Sequence, residues 1–247
     1  MALFEAHKLH LRFGDRVVLE EVSLSFETGK LSGIMGPNGA GKTTCFNVLT
    51  GHYKPDRGHV LFDGADITGR SPQAIARLGI ARSFQLMNLF DEFTVFENVA
   101  IALPQTRKRG RDLLGQAYAE PALVAEAHEI LDTVGLGARA DDNAKALPYG
   151  ERRALEIAVA LASKPKLLFL DEPTAGLGSD GRDRLAELVR RLKGQVTIVV
   201  IEHDMEFLFG LADDISVIHW GQVIAHGSPA ELRANPWVKN SNLGKLA

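Results

Sequence analysis

Apolar positions in the first third of the chain form short runs separated by turns that contain glycine. Runs at residues 17–19 and 22–26 come before a Thr-Gly turn, and strand-length runs follow at 31–35 and 58–64. Short apolar runs bounded by glycine are typical of β-strands. The pattern predicts a β-rich N-terminal segment that leads into a glycine-rich stretch beginning at Gly36.

The spacing of apolar residues becomes helical between about residues 88 and 162. Thr94 and Glu97 have the spacing of a capping box and predict the start of one helix. A second helix is predicted from residue 121 to about 134. A third has a core at 154–162 that is apolar nearly all round, which predicts a buried helix.

Beyond this helical block the chain again alternates strand and helix. Strands are predicted at 166–170 and 195–201, with a helix at 181–193 between them. This order favours parallel strands joined by a crossover helix. A hairpin is predicted from 215–219 and 222–225, followed by one short helix. The whole pattern predicts an α/β core into which a helical lobe is inserted.

Composition excludes several classes of protein. The 28 Lys and Arg residues against 31 Asp and Glu give a net charge of −3, which argues against a nucleic-acid partner. Apolar runs such as 196–201 are strand-sized and far shorter than the roughly 18 residues of a membrane helix. No secretory signal is expected. The single Cys45 excludes an internal disulfide and favours a reducing, cytoplasmic setting, with the thiol as a small buried side chain or, alternatively, a redox switch.

The glycine-rich stretch matches the phosphate-binding loop pattern, two glycines four residues apart followed by Lys and Ser/Thr. Because glycine lacks Cβ, Gly36 and Gly41 let backbone N–H groups surround an anion, and the following helix points its positive end there. Lys42 is then expected to reach the β and γ phosphates and Thr43 to bind Mg²⁺. The predicted nucleotide-binding residues of this segment are Gly36, Pro37, Asn38, Gly39, Ala40, Gly41, Lys42, Thr43 and Thr44.

Two carboxylates end the apolar strand at 167–170. Ligands in α/β proteins bind at strand ends of this kind. We expect Asp171 to hold Mg²⁺, through water, and Glu172 to orient and deprotonate the attacking water. The alternative is a surface ion pair, but the upstream phosphate loop favours a single Mg-nucleotide site.

On these motifs and their order, nearly the whole chain resembles the ATP-binding subunit of ABC transporters. The resemblance implies the ABC ATPase fold: a P-loop NTPase core with a mainly parallel sheet and an N-terminal antiparallel β edge (1–87 and 163–247), plus a helical lobe (88–162), in one domain over 1–247. It implies ATP and Mg²⁺ as cofactors.

The resemblance also implies roles for three further residues. Phe13 stands where an aromatic ring stacks on adenine, although an ordinary packed Phe stays possible. Gln85 matches the glutamine that bridges Mg²⁺, water and the membrane-domain contact; the alternative is an exposed polar loop residue. His203 matches the histidine that contacts the γ-phosphate, and it is counted as catalytic with Glu172, Gln85 and Lys42; the alternative is a packed or surface histidine.

Several segments look more narrowly like the ATPases of branched-chain amino acid importers. They include 79–85, 94–98, 152–158 and 201–205. The resemblance implies a second ATPase subunit, two membrane-spanning permease subunits and an extracytoplasmic solute-binding protein, with this chain on the cytoplasmic face of the inner membrane. Alternatives are ATPases of urea or amide import or of lipopolysaccharide export. A non-transport ABC ATPase acting on DNA or ribosomes is a further alternative from a different class.

The chain departs from the family pattern in two places. The signature that completes a partner's ATP site, normally Leu-Ser-Gly-Gly-Gln, here ends in Pro148, Tyr149, Gly150 and Glu151, so a serine hydroxyl is missing and Pro148 lacks an N–H. Gly178 stands where the family usually has Asp. We therefore expect a heterodimer with a different ATPase subunit. In the family, segment 86–96 forms the groove for a membrane-domain helix; a simple packed connection is the alternative.

Overall fold

The computed structural model describes residues 2–83, 89–107, 118–236 and 238. Within these residues the strands form two sheets. The first is antiparallel, in the spatial order β2 (Arg16–Glu27), β1 (Ala2–Phe13), β4 (Arg57–Phe62), β5 (Ala65–Asp66). The second is mainly parallel, in the order β10 (Gln222–Gly227), β9 (Asp214–His219), β3 (Leu31–Met35), β8 (Thr197–Ile201), β7 (Leu167–Asp171), β6 (Ile80–Arg82). The predicted α/β fold with a mainly parallel sheet is confirmed.

Helices flank these sheets, and between β6 and β7 every described element is helical. The α-helices of the described residues are α1 (Lys42–Leu49), α2 (Pro72–Arg77), α3 (Val95–Ala100), α4 (Pro104–Arg107), α5 (Pro121–Thr133), α6 (Tyr149–Ala162), α7 (Ser179–Leu192), α8 (Met205–Phe209) and α9 (Pro229–Ala234). The predicted capping box is present at α3, where Thr94 and Glu97 each accept a backbone N–H of the other. No helix in the described part of the chain is long and apolar enough to cross a bilayer.

The N-terminal strands are longer than the sequence pattern predicts. The runs at 17–19 and 22–26 belong to one strand of 12 residues, β2, which pairs with β1 through several register shifts. At the break between the runs, Glu21 has a positive φ of 53°. An irregular residue of this kind, like a β-bulge, reorients side chains without ending the strand. The interruption in the pattern is therefore a local distortion and not a turn.

An aromatic cluster holds the phosphate-loop helix against the sheets. The ring of Phe169 on β7 lies 5.4 Å from that of Phe46 on α1 and 5.5 Å from that of Phe4 on β1. Both contacts are edge-to-face, the arrangement that aromatic pairs favour. Cys45 is buried beside this cluster, and burial raises the pKa of its thiol to about 12. The thiol is thus a small buried side chain at neutral pH, as expected.

Helix α6 is less completely buried than the sequence predicts. Leu155, Ile157 and Ala158 are fully buried, but residues 159–161 are half-buried. The most buried charged side chain of the helix is Arg153, which bonds Glu156 at 2.5 Å. The helix faces the core on one side and carries an ion pair toward the loop after β7.

Three adjacent parallel strands bring the predicted motifs together. β8 lies between β3 and β7, with Ile34 opposite Ile201 and Asp171 opposite Ile201 in register. Because parallel strands end at the same edge of a sheet, the segments following Met35, Asp171 and Ile201 emerge side by side.

Candidate nucleotide-binding site

The phosphate loop is packed too closely for side chains at two of its glycines. A Cβ on Gly36 would lie 2.1 Å from the carbonyl oxygen of Ile218, and one on Gly41 would lie 2.9 Å from that of Val18. Gly41 also has a φ of 100°, in the left-handed region. The loop is therefore pressed between β2 and β9, which fixes the direction in which its N–H groups point.

The loop presents a set of free backbone donors at the start of α1. Among the described residues, no acceptor faces the N–H groups of Gly39, Gly41, Lys42, Thr43 and Thr44. A helix N-terminus adds a partial positive charge to such unpaired donors. The arrangement fits a phosphate group.

Lys42 is nearly enclosed, with 5% of its surface exposed. Its Nζ donates to the carbonyl oxygens of Gly36 at 2.7 Å and Pro37 at 3.1 Å. Burial lowers the pKa of Lys42, against the attraction of Glu172, Glu202 and Asp171, which raises it. The ammonium group of Lys42 thus lies inside the phosphate-binding loop.

Asp171 ends β7 as a buried carboxylate. Its Oδ2 lies 3.2 Å from Nη2 of Arg82, and burial raises its pKa while Arg82 opposes that rise. In the described part of the chain, no three His, Cys, Asp or Glu side chains cluster as metal ligands. Mg²⁺ uses one or two protein oxygens together with phosphate and water, so one carboxylate and the exposed hydroxyl of Thr43 fit it chemically.

Glu172 has a strained and firmly held backbone. Its φ is 44°, in the left-handed region that non-glycine residues rarely adopt. Its N–H donates to Ile201 at 2.8 Å, and its carbonyl oxygen accepts from Nη2 of Arg153 at 3.1 Å. Strain held by several contacts is typical of functional positions.

A cleft of about 290 Å³ is lined by several of the predicted site residues. Glu172 lines it together with Phe13, Asn38, Gly39, Gly41, Lys42, Thr43 and Thr44. Phe13 is 48% exposed there, and its ring meets that of Tyr53 edge-to-face at 5.4 Å. Phe13 is therefore available to a ligand and is not an ordinary core residue.

His203 lies beside Glu172 at the same sheet edge. Its Nδ1 is 4.0 Å from Oε1 of Glu172 and 3.6 Å from Oε2 of Glu202, and 54% of its side chain is exposed. The imidazole thus borders the proposed base and also faces solvent. Gln85 lies outside the described residues.

The signature residues lie in a different cleft. Pro148, Tyr149, Gly150 and Glu151 line a space of about 530 Å³ with residues of α7 and the loop before it, including Gly178. The Tyr149 hydroxyl donates to the carbonyl oxygen of Ala175 at 3.1 Å. None of these residues lines the phosphate-loop cleft, so one chain does not complete its own site with its own signature.

The structure adds residues that sequence patterns left without a role. Arg82 links Asp171 to α1 by donating to Asn47 at 2.9 Å and Thr50 at 3.0 Å. Arg153 and Glu202 contact the segments around Glu172 and His203. Their signal in the sequence is weak: each is a charged residue next to or within an apolar run.

Comparisons with known proteins agree with this geometry. A family model described as ABC transporter matches residues 19–175. The chain is 39% identical over 252 aligned positions, covering 98% of both chains, to the high-affinity branched-chain amino acid transport ATP-binding protein LivG of Salmonella typhimurium. It is 32% identical over 250 positions, covering 98% of this chain and 97% of the other, to the lipopolysaccharide export system ATP-binding protein LptB of Acidithiobacillus ferridurans.

A solved structure has the same fold. The ADP conformation of MJ1267, an ATP-binding cassette of an ABC transporter, matches with a TM-score of 0.86 and 31% identity, covering 99% of both chains.

Proposed function

Because the chain belongs to the ABC transporter family, we propose that it is the ATP-hydrolysing subunit of an importer for branched-chain or related amino acids. The observation that carries the proposal is the convergence of the phosphate loop, Glu172 and His203 at one sheet edge. The amino-acid substrate is supported by the names of relatives such as LivG, which align over almost the entire chain.

The residues divide the chemistry of phosphoryl transfer between them. The loop amides and Lys42 neutralise the β and γ phosphates, and Phe13 receives the adenine. Glu172 orients and deprotonates the attacking water, and His203 contacts the γ-phosphate. Phosphoryl transfer needs mainly positioning and charge stabilisation, which these groups supply.

Thr43, Asp171 and Gln85 are the residues proposed to hold Mg²⁺. When bound, the ion supplies positive charge next to the phosphates. Asp171 is already fixed for this purpose by Arg82, whose guanidinium keeps the carboxylate in one orientation.

The assembly we propose contains two ATPase subunits and two membrane-spanning permease subunits at the cytoplasmic face of the inner membrane, fed by an extracytoplasmic solute-binding protein. The two ATPase subunits pair head to tail, so that the signature at 148–151 completes the partner's site. The core (1–87 and 163–247) holds the nucleotide, and the helical lobe (88–162) carries the signature.

A lipopolysaccharide-export ATPase is the second candidate, because LptB also aligns over nearly the whole chain. Its identity of 32% is lower than the 39% of LivG, which favours the importer.

Purification from detergent-solubilised membranes tests the proposal. A tagged form of the chain is expected to recover polytopic membrane proteins and a second ATPase in stoichiometric amounts. Recovery of ribosomes or DNA-bound proteins without any polytopic subunit would contradict it. Recovered subunits of a lipopolysaccharide exporter would instead support the second candidate.

A further inference from the structure

Glu202 is a buried carboxylate that the chemistry above does not use. It follows β8 directly, and its side chain is 0% exposed. Within the described residues no Lys or Arg pairs with it directly. Burying a charge costs free energy unless hydrogen bonds replace its hydration. The hydrogen-bond partners of Glu202 therefore indicate its role.

The carboxylate accepts four hydrogen bonds from two separate loops. Oε1 accepts from the backbone N–H of Thr174 at 2.8 Å and from its hydroxyl. Oε2 accepts from the N–H of His203 at 3.0 Å and from that of Asp204 at 3.3 Å. One side chain thus joins the loop after β7 to the loop after β8.

Each loop carries one of the groups proposed to act at the γ-phosphate. Thr174 lies two residues after Glu172, and His203 follows Glu202 directly. Arg153 already holds the other side of the first loop through the carbonyl oxygen of Glu172. The N–H of Glu172 also bonds the carbonyl oxygen of Ile201 at the end of β8. Glu202 adds a side-chain anchor whose two oxygens accept backbone N–H groups from both loops.

The second loop is also fixed beyond His203. Asp204 accepts from the N–H of Phe207 at 3.1 Å, which caps α8, and its other oxygen lies 3.1 Å from Nη1 of Arg182. The backbone of His203 therefore lies between the hydrogen bonds of Glu202 on one side and those of Asp204 on the other.

We propose that Glu202 is a positioning residue for ATP hydrolysis, whose carboxylate fixes the distance between Glu172 and His203. The inference rests on the proposed function, since it presupposes that these two residues act on ATP. It predicts a larger effect on turnover than on nucleotide affinity, because Glu202 does not line the phosphate-loop cleft and acts on Lys42 only through its charge.

Glu202→Gln is the direct test, because glutamine has the same shape and loses only the charge and one acceptor. Its amide can accept from Thr174, but its NH₂ group then meets the N–H groups of His203 and Asp204. We expect kcat to fall about 10- to 100-fold while ATP affinity stays within about twofold. The matched control is Glu206→Gln, which changes an exposed glutamate four residues later and should leave both values unchanged.

A double-mutant cycle separates positioning from general structural damage. If Glu202 acts by setting the distance between Glu172 and His203, the combined loss of turnover in Glu202→Gln, His203→Ala should be smaller than the sum of the two single losses in free energy. Turnover and ATP affinity are measured on the full chain, alone and with its co-purified subunits. Independent, additive losses would overturn the proposal.

Amide hydrogen exchange gives a readout that does not depend on turnover. The N–H groups of His203 and Asp204 should exchange faster in Glu202→Gln, with exchange in α1 unchanged. Thr174→Ser should keep the wild-type rate of turnover, since it keeps the hydroxyl, whereas Thr174→Val should lower it.

The outcomes separate this inference from the proposed function. If Glu172→Gln slows hydrolysis but Glu202→Gln behaves like the Glu206→Gln control, only the inference fails. If the wild-type chain and its complex do not hydrolyse ATP, the proposed function fails and the inference falls with it.

Discussion

Lys42 places a positive charge in a nearly enclosed loop whose other ligand groups are backbone N–H donors. Replacing it by alanine removes the ammonium group that lies inside the loop, and it leaves Arg16 as the side-chain cation among the described residues of the cleft. We expect Lys42→Ala to weaken ATP binding at least about tenfold and to abolish turnover, because the β and γ phosphates lose a charge-assisted bond. Equilibrium binding of a fluorescent ATP analogue measures the effect.

Lys166→Ala is the control for that experiment. Lys166 pairs with Asp63 on the surface at 2.9 Å, and both side chains are more than half exposed. Normal ATP binding by Lys42→Ala, or an equal loss in the control, would contradict the assignment of the phosphate site.

Glu172 carries the base in the proposed chemistry, and its amide analogue keeps its shape. We expect Glu172→Gln to bind ATP with wild-type affinity and to hydrolyse it at least about 100-fold more slowly, since general-base catalysis contributes at least this much. Glu206→Gln, an exposed change on α8, is the control. A parallel loss of affinity and turnover in Glu172→Gln would indicate a structural role.

Single residues differ in how far the sequence reveals them. Lys42, Thr43, Asp171 and Glu172 follow from motifs of fixed local spacing. Arg82 does not, because its partners Asn47 and Asp171 are far from it in sequence and meet it only in the folded chain. The sequence does not reveal the role of Glu202 for the same reason, because its partner Thr174 lies 28 residues earlier in the chain.

At the scale of elements, local chemistry predicts helix starts better than strand lengths. The capping box at Thr94 and Glu97 acts within one turn and is present as expected. The continuity of β2 depends on pairing with β1, which tolerates the irregularity at Glu21. A pattern within β2 alone cannot show that a partner strand bridges the break.

The segment after residue 88 connects to the signature helix. Oδ1 of Asp91 lies 2.6 Å from Nη2 of Arg152 on α6, and both Asp91 and Glu92 are exposed. We expect Asp91→Lys and Glu92→Lys to weaken assembly with the membrane subunits more than they weaken ATP binding, since both residues lie outside the phosphate-loop cleft. Co-purification yield and ATP affinity are the two measurements.

The ion pair requires its own control. Asp91→Lys also places a cation next to Arg152, so the double variant Asp91→Lys, Arg152→Glu restores an opposite-charge pair. If assembly recovers in the double variant, the loss came from the pair within the chain. Equal effects on assembly and ATP binding would instead indicate that Asp91 and Glu92 support the fold of the whole chain.

For the whole molecule, the signature predicts an asymmetric pair of ATP sites. Pro148 is the N-cap of α6 and offers neither a hydroxyl nor an N–H, so two copies of this chain would form two slow sites. With a different partner, the site of Lys42, Glu172 and His203 is completed by the partner's signature. We expect turnover of the complex to depend mainly on Glu172 and less on the partner's equivalent glutamate.

Steady-state ATPase rates of the chain alone, of the complex, and of the complex with each glutamate changed in turn measure this asymmetry. The N–H groups of Tyr149 and Gly150 remain as donors at the start of α6, and a lost bond to a charged group is worth only about 1.5–3 kcal/mol. Rapid turnover by the chain alone, or equal losses from the two glutamate changes, would show that these donors suffice.

Uptake of a radiolabelled branched-chain amino acid into vesicles that contain the transporter assembled with this chain tests its role as motor. ATP is supplied on the side that carries the chain, together with the solute-binding protein on the other side. We expect ATP-dependent accumulation with the wild-type chain and with Glu206→Gln, and its loss with Glu172→Gln, although the Glu172→Gln complex still assembles and binds ATP. Accumulation that persists with Glu172→Gln, or none with the wild-type chain in an intact complex, would contradict the assignment of this protein as the ATP-driven motor of an amino-acid importer.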